Sequence, residues 1–265
     1  MDYIKATDKG VYREENQDRA EVFENDFVLM AILCDGMGGH FNGSLAASIT
    51  IETFRERFAL LSSDRSTLND WFKETIKLSK ENMIAEAADN QKKMDMGTTV
   101  TSAIIFKDDL EIFIFNIGDS RTYLSRFGEL KQITADHNVM TYYILKENLS
   151  EFQAAKLPGA HALISALGPT KKTSIEPFII EPLTKTAEPK RSWFKRNSAE
   201  IREKTNEKNY IVLTSDGIHD YIRKPHFESI INEDKKTLQE KADELIKVAI
   251  KGGSSDNLTC IIVEV

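Results

Sequence analysis

The sequence predicts an α+β protein whose strands pair in antiparallel sheets. Strand patterns come in blocks separated by helical patterns, whereas a parallel sheet needs strands and helices in regular alternation. Most neighbouring strand patterns are joined by short polar turns such as 107–109, which favours antiparallel pairing. The apolar run at 27–34 is the strongest strand signal, and its branched side chains suit burial on both faces.

Other strand patterns are shorter and lie between turn residues. The segment 136–168 has poor periodicity, which predicts short helices and loops there. The predicted strands are 3–7, 18–24, 27–34, 98–106, 110–117, 121–126, 130–134, 174–181, 210–215 and 258–265.

Apolar residues at helical spacing predict a helix at 45–59 and a second helix that begins near Leu68. Asp64 or Ser66 is the predicted N-cap of the second helix, because either side chain can accept a bond from a free backbone N–H. Two more helices are predicted after the strand at 210–215, followed by the last strand.

The composition argues against some classes of function. The net charge of −7 argues against general affinity for nucleic acid. No apolar run approaches the roughly 18 residues of a membrane span, and the N-terminus lacks the apolar core of a signal peptide. We therefore expect a cytoplasmic protein. Cys34 and Cys260 lie in strand patterns, which predicts buried, reduced thiols.

The glycines after 27–34 do not form a nucleotide loop. The dinucleotide pattern would place Gly at positions 36, 38 and 41, but Phe41 occupies the third. The ATP-type loop fits from Gly38 to Gly43, but Ser44 and Leu45 stand where Lys and Ser or Thr are required. Both nucleotide interpretations are excluded.

Aspartates flank several of the predicted strands, and antiparallel pairing can bring strand beginnings and endings to one sheet edge. Each Asp alone has an ordinary structural interpretation, since turns favour Asp. Together they would repel each other unless a hard divalent cation bound them, and oxygen ligands favour magnesium or manganese over zinc. These aspartates are Asp18, Asp35, Asp119, Asp216 and Asp256.

Short motifs spread over almost the whole chain strengthen this interpretation. They are 10–18 (Gly-Val-Tyr-Arg-Glu-Glu-Asn-Gln-Asp), 35–40 (Asp-Gly-Met-Gly-Gly-His), 97–99 (Gly-Thr-Thr), 116–121 (Asn-Ile-Gly-Asp-Ser-Arg), 136–137 (Asp-His), 166–168 (Ala-Leu-Gly), 215–217 (Ser-Asp-Gly) and 255–257 (Ser-Asp-Asn). In kind and order they resemble the metal-dependent serine/threonine protein phosphatases of type 2C, in the bacterial form.

The resemblance implies a four-layer α-β-β-α sandwich of two antiparallel sheets flanked by helices. It implies a single phosphatase domain over 1–265, with a flap-like segment at about 136–168. It also implies magnesium or manganese at one end of the sandwich, as two ions and, as in bacterial members of the family, a third.

By the same resemblance, Asp35 would bridge both metals and the Gly36 carbonyl would bind one of them. Asp216 and Asp256 would bind the other. Arg13 would hold the substrate phosphate, because a guanidinium fork matches phosphate oxygens.

Two further aspartates have implied roles. Asp18 would hold a water molecule bound to the metals, and Asp119 would share a third, weaker metal site with Asp216. Asp220 is a further candidate to hold such a water. His137 is interpreted as structural.

The sequence does not identify the residue that would donate a proton to the leaving group. Some members of the resembled family have His at the position of Met37, and Met cannot donate a proton. His40 is the nearest substitute and a candidate general acid, but a structural histidine or a proton from metal-bound water explains the pattern equally well.

The segment from about 184 to 209 departs from the resembled family, which has a short connection there. It contains eight Lys or Arg and four Asp or Glu, so its charge is +4 while the rest of the chain carries −11 (−7 minus +4). An exposed loop is the expected structure. Docking to an acidic partner or a membrane surface stays open.

The function implied is hydrolysis of phosphoserine and phosphothreonine in proteins by a hydroxide that bridges two metals. Two alternatives stay open: a pseudophosphatase that binds phosphoproteins, and a two-metal phosphoesterase acting on small molecules. The intact set Asp35, Gly36, Asp216 and Asp256 favours catalysis. The expected partners are phosphorylated proteins, including a serine/threonine kinase and its substrates, and the expected state is a monomer.

Overall fold

A pair of antiparallel β-sheets forms the centre of the protein, as seen in a computed structural model that describes residues 1–38, 42–182 and 208–265. Within these ranges the strands are β1 (Tyr3–Asp8), β2 (Arg19–Glu24), β3 (Val28–Cys34), β4 (Gly36–Met37), β5 (Gly97–Thr98), β6 (Val100–Phe106), β7 (Ile112–Ile117), β8 (Arg121–Arg126), β9 (Glu129–Gln132), β10 (Glu176–Ile180), β11 (Tyr210–Thr214) and β12 (Leu258–Glu264). The helices are α1 (Asn42–Phe58), α2 (Leu68–Glu86), α3 (Val139–Glu147), α4 (Glu151–Ala154), α5 (Asp216–His219), α6 (Lys224–Ile231) and α7 (Leu238–Lys251).

Both large sheets have five strands in the described ranges. One has the order β1-β12-β11-β8-β9 and the other β10-β7-β6-β3-β2. All the neighbouring strands pair antiparallel, and β4 with β5 forms a separate short ladder. The predicted antiparallel pairing is therefore confirmed.

The two sheets pack face to face, and helices cover their outer faces. Leu29 of β3 and Ile211 of β11 belong to the apolar layer between the sheets. On one outer face, Phe72 of α2 stacks on Phe115 of β7 with ring centroids 4.1 Å apart. On the other, Phe227 of α6 packs against β8. This is the four-layer α-β-β-α sandwich expected from the sequence.

Strand β3 shows why an unbroken apolar run predicted a central strand. All of its residues are buried, and successive side chains point to opposite faces. One set enters the layer between the sheets and the other faces the helices. The two sets are Leu29, Ala31 and Leu33, and Met30, Ile32 and Cys34.

The helices differ from prediction in three respects, of which the first is that α1 spans Asn42–Phe58 rather than 45–59. Asp64 caps the short 3₁₀ turn Arg65–Thr67 through a bond from the Ser66 N–H, whereas α2 begins after Thr67 without a side-chain cap. Three helices rather than two lie between β11 and β12, since α5 forms one turn directly after β11. Four residues are too few to show helical periodicity, so the sequence pattern could not reveal α5.

The segment 136–168 contains the short helices α3 and α4 joined by loops. Asn138 caps α3, and Ser150 with Gln153 forms a capping box on α4. Isolated bridges join Asn138 to Leu163 and Thr98 to Leu167. These bridges fix the ends of the segment beside the short β4–β5 ladder.

Three other expectations concern single features. Cys34 and Cys260 are free and buried, as predicted, and burial raises the pKa of the Cys260 thiol to about 12. None of the helices in the described ranges has the length and hydropathy to span a bilayer. Residues 184–207 of the basic segment lie outside the described residues, and at its end Lys208 forms an ion pair with Glu264 at 2.8 Å.

Candidate metal centre

Antiparallel pairing brings the predicted aspartates to one end of the sandwich. Four of them line a cavity of about 710 Å³ together with Arg13. Asp18 lies behind the cavity wall and is buried. The four that line it are Asp35, Asp119, Asp216 and Asp256.

Asp35 is held by its backbone, so its carboxylate is left for other partners. Its N–H donates to the Thr99 hydroxyl at 3.0 Å, and its carbonyl accepts from the Thr99 N–H at 2.8 Å. The Thr98 hydroxyl also donates to that carbonyl, at 2.9 Å. Thr99 in turn contacts Ser120 through a hydroxyl pair at 2.7 Å. The motif 97–99 therefore fixes the Asp35 backbone.

Gly36 follows Asp35 at a point where the backbones of three segments meet. A Cβ at this position would lie 2.3 Å from the Gly43 carbonyl oxygen and 2.6 Å from that of Gln17. Only glycine fits this approach. Packing at the mouth of the cavity therefore explains the glycine at position 36, whereas Gly38 has a positive φ of 142°.

Asp216 and Asp256 differ in how their oxygens are satisfied. Oδ1 of Asp216 is buried and has no hydrogen-bond partner among the described residues. Asp256 accepts from the Asn257 N–H at 2.8 Å and from Arg13 at 2.6 Å. A buried carboxylate oxygen without a partner is destabilising, so Asp216 requires a cation or a proton.

Burial and mutual repulsion raise the pKa values of three of these carboxylates, those of Asp35, Asp119 and Asp216. Burial is the largest cause in each case, and the pKa is raised to about 8 for Asp216 and to about 6 for Asp119. The pKa of Asp35 is raised well above its ordinary value by burial and then by Asp18 and Asp216. Bound cations would hold these carboxylates in the charged form.

Asp18 connects the cluster to the opposite sheet. It accepts a bond from the Ser215 hydroxyl at 2.8 Å, and Ser215 in turn accepts from the Thr259 N–H at 3.0 Å. Burial raises the pKa of Asp18 to about 6. Asp18 is therefore fixed in place directly behind Asp35.

The donor set fits a hard divalent cation. In the described ranges, no group of three or more His, Cys, Asp or Glu side chains is arranged to hold a metal ion. Magnesium and manganese do not need such a group, because such ions bind through one or two carboxylates and keep several water molecules. The unpartnered Asp216 oxygen and the all-oxygen chemistry of the cavity suit them, whereas zinc prefers His and Cys.

Among the described residues that line the cavity, Arg13 is the one Arg or Lys. Its side chain is 54% exposed and donates to Asp256 at 2.6 Å. The hydrogen bond with Asp256 is the largest cause that raises the pKa of its guanidinium. An exposed guanidinium beside this cluster is placed to bind an oxyanion such as phosphate.

His40 lies outside the described residues, so its candidate role as general acid stays a prediction. Met37 is described: it pairs with Gly97 and lines the cavity. Asp220, predicted as a possible water ligand, lies 3.6 Å from Arg121. His137 is structural in its contacts, since its Nδ1 accepts from the Gly118 N–H at 3.2 Å.

Sequence reasoning gave no role to some residues at the cavity. His161 and Leu163 line it from the segment 136–168, although His161 had no recognisable motif. Asn257 also lines it, and the sequence motif gave this residue no function. Only the tertiary packing of loops brings these side chains to the cavity.

The acidic cavity at one end of an α-β-β-α sandwich agrees with a protein phosphatase. The family model described as Protein phosphatase 2C matches residues 12–251 of this chain. The chain belongs to that family.

Curated relatives match along nearly their whole length. The serine/threonine phosphatase stp of Listeria monocytogenes is 30% identical over 263 residues, which cover 97% of this chain and 93% of the relative. Protein phosphatase PhpP of Streptococcus pneumoniae is 26% identical over 267 residues, which cover 99% and 97%. The solved structure of the S. agalactiae serine/threonine phosphatase superposes with a TM-score of 0.81 at 26% identity and covers 98% of each chain.

Proposed function

We propose that this chain hydrolyses phosphoserine and phosphothreonine in proteins with the help of divalent cations bound in the acidic cavity. The observation that carries the proposal is the buried Asp216 oxygen without a partner, set among carboxylates whose pKa values are raised. Membership of the protein phosphatase 2C family, which is metal-dependent, supports it.

The proposed ligands are the carboxylates of Asp35, Asp216 and Asp256 and the carbonyl of Gly36. Asp119 would share a third ion with Asp216. Magnesium or manganese suits this oxygen set. When bound, two such ions would lower the pKa of a water molecule and offset the negative charge of the phosphoryl group.

The residues of the chain position the substrate and the water. Arg13 would bind the phosphoryl oxygens, since its guanidinium already lies within hydrogen-bond distance of Asp256. Asp18, held by Ser215, would accept a bond from a water molecule beside Asp35. His40 stays the candidate proton donor to the leaving hydroxyl. The cavity of about 710 Å³ has room for a phosphorylated side chain.

The same proposal covers the domain organisation, the oligomeric state, the location and the substrates of the protein. We treat 1–265 as one phosphatase domain that acts as a monomer in the cytoplasm, with the basic segment at about 184–209 as an insertion. Its substrates would be phosphorylated proteins, among them a serine/threonine kinase and the targets of that kinase. The relatives named as serine/threonine phosphatases support this substrate class.

The test is hydrolysis of a phosphothreonine peptide with manganese, with magnesium and with excess chelator, beside a small aryl phosphate. We expect turnover with either ion and none in chelator. Turnover that persists in excess chelator would contradict the metal-assisted mechanism. Binding of the phosphopeptide without hydrolysis at saturating metal would support the pseudophosphatase, and turnover of the aryl phosphate alone would support a small-molecule phosphoesterase.

A further inference from the structure

Asn257 follows the proposed metal ligand Asp256 and is almost fully buried, with 4% of its surface exposed. Its side chain binds backbone groups of a distant loop. Nδ2 donates to the carbonyl of Lys9 at 2.8 Å and to that of Glu15 at 3.0 Å, and Oδ1 accepts from the Gln17 N–H at 2.9 Å. Both amide N–H groups and the amide oxygen are thus used.

The loop that Asn257 binds runs from 9 to 17, between β1 and β2, and Arg13 lies at its centre. The middle of the loop makes few contacts, because Tyr12 is 72% exposed and Val11 is 65% exposed. The two ends, by contrast, are held by side chains: Asn257 bonds to both of them, and Asn16 donates to the Thr7 hydroxyl at 2.7 Å. The position of Arg13 therefore depends on how well the ends of the loop are held.

A second contact packs the loop 9–17 against the turn that contains Asp256 and Asn257. Gly10 has a positive φ of 77°, and a Cβ there would lie 2.3 Å from the Asp256 carbonyl oxygen. The backbone of the loop thus touches the backbone of the metal-ligand turn, while Arg13 reaches the Asp256 carboxylate from its own side chain. Asp256 and Asn257 together hold the loop in place beside the acidic cavity.

We propose that Asn257 is a positioning residue that fixes Arg13 relative to the bound phosphate by holding both ends of the loop 9–17. The inference rests on the proposed role of Arg13 in phosphate binding. Loss of the Asn257 amide would leave three backbone groups unpaired and widen the range of loop positions. Because the backbone N–H of residue 257 remains in any variant, Asp256 would keep its own bond and its place in the cavity.

The experiment is a double-mutant cycle with Asn257→Ala and Arg13→Ala, measured on a phosphothreonine peptide at saturating manganese. We expect Asn257→Ala to raise KM about tenfold and to change kcat less than about threefold, because it weakens phosphate binding. The inhibition constant of inorganic phosphate should rise with KM. In the Arg13→Ala background, the same substitution should change KM less than about twofold, since the residue through which Asn257 acts is already absent.

Asn232→Ala is the matched control. Asn232 also joins two elements through its side chain, since it accepts from the Ser125 hydroxyl at 2.6 Å and donates to the Gly128 carbonyl at 3.0 Å. It lies outside the cavity, so its loss should lower Tm and leave KM unchanged. Manganese affinity, measured by electron paramagnetic resonance, should stay within about threefold in Asn257→Ala and fall in Asp256→Asn.

Several results would overturn the inference. KM effects of Asn257→Ala that are equal in both backgrounds would show that Asn257 does not act through Arg13, and a lowered manganese affinity would place its action on the metal ligand. If neither Asn257→Ala nor the milder Asn257→Ser folds, Asn257 is a structural residue and the inference is wrong. An unchanged KM for Arg13→Ala alone would instead contradict the proposed function of Arg13.

Discussion

Two Arg–Asp pairs at the same end of the sandwich use the same chemistry in different surroundings. Arg121 and Asp136 form a bidentate pair with bonds of 2.8 and 2.6 Å, and their side chains are only 20% and 7% exposed. Arg13 and Asp256 share one bond of 2.6 Å, and the Arg13 side chain is 54% exposed.

The difference lies in the number of partners as well as in burial. Asp136 is also bound by the amide of Gln132 at 3.2 Å, so its bidentate pair is part of a larger network. The exposed guanidinium of Arg13 keeps donors that can bind another oxyanion. A buried, bidentate Arg–Asp pair stabilises the fold. An exposed Arg beside a cavity, with only one bond to its Asp, can instead donate to the oxyanion of a substrate. The following predictions separate these two roles.

The largest expected effect comes from Asp256→Asn. Removing a charged ligand from the proposed metal site should lower kcat/KM by about a thousandfold at saturating manganese, while the free energy of unfolding changes by less than about 1 kcal/mol. The measurements are peptide hydrolysis and urea denaturation in chelator. Near-normal turnover would remove Asp256 from the ligand set, and a large loss of stability would make this pair resemble Arg121–Asp136.

The second prediction concerns the buried pair. Asp136→Ala removes the bidentate partner of Arg121 in a poorly solvated position, leaves it only the ion pair with Asp220 at 3.6 Å among the described residues, and should lower the free energy of unfolding by about 3 kcal/mol. The double variant Arg121→Met with Asp136→Leu should recover part of that loss, because the buried Arg121 charge is removed together with its main partner. Urea denaturation of the three proteins provides the comparison. A loss below about 1 kcal/mol in Asp136→Ala would show that solvent screens this pair as well.

The third prediction concerns Arg13. Arg13→Ala should raise KM about tenfold with kcat less affected, since a phosphate contact acts in the ground state and in the transition state alike. Its free energy of unfolding should change by less than about 1 kcal/mol, because the pair is exposed. Arg13→Lys keeps the charge but loses the fork, and it should restore only part of the affinity. Equal kinetics for all three proteins would contradict phosphate binding by Arg13.

The fold could be predicted from the sequence because the burial of each strand and helix determines its pattern of apolar and polar side chains. β3 is apolar throughout because both of its faces are covered, and short polar turns signalled antiparallel neighbours. The convergence of the aspartates followed from the same pairing, since Cys34 lies opposite Arg19 and Thr214 opposite Cys260. The motif resemblance then gave the four-layer arrangement.

What could not be predicted depends on contacts between distant parts of the chain. Asn257 binds Lys9 and Gln17, which are 248 and 240 residues away, and the amide of an Asn gives no sign of its partners. His161 reaches the cavity through loops without periodicity. The unequal exposure of the two Arg–Asp pairs is likewise a property of packing, since both arginines occur in polar motifs of similar appearance.

The last prediction is a pH dependence of stability in the metal-free protein, and it tests the electrostatics of the cavity. Burial raises the pKa of Asp216 from the ordinary 3.8 to about 8, and those of Asp18 and Asp119 to about 6. Between about pH 4 and these values the folded protein binds more protons than the unfolded chain, so the cluster makes stability fall as pH rises. Below pH 4 both states are protonated and the penalty is absent.

In excess chelator we therefore expect Tm to fall between pH 6 and 8, where Asp216 still titrates. Asp216→Asn should reduce this fall, because the asparagine cannot ionise, whereas Asp26→Asn at the other end of β3 should leave it unchanged. Saturating manganese should abolish the fall in the unaltered protein, since bound cations stabilise the charged carboxylates. If Tm has the same slope with and without Asp216, repulsion in the cavity does not limit stability. The unpartnered Asp216 oxygen would then have to be satisfied by water, and the strongest argument for a cation at this position would be lost.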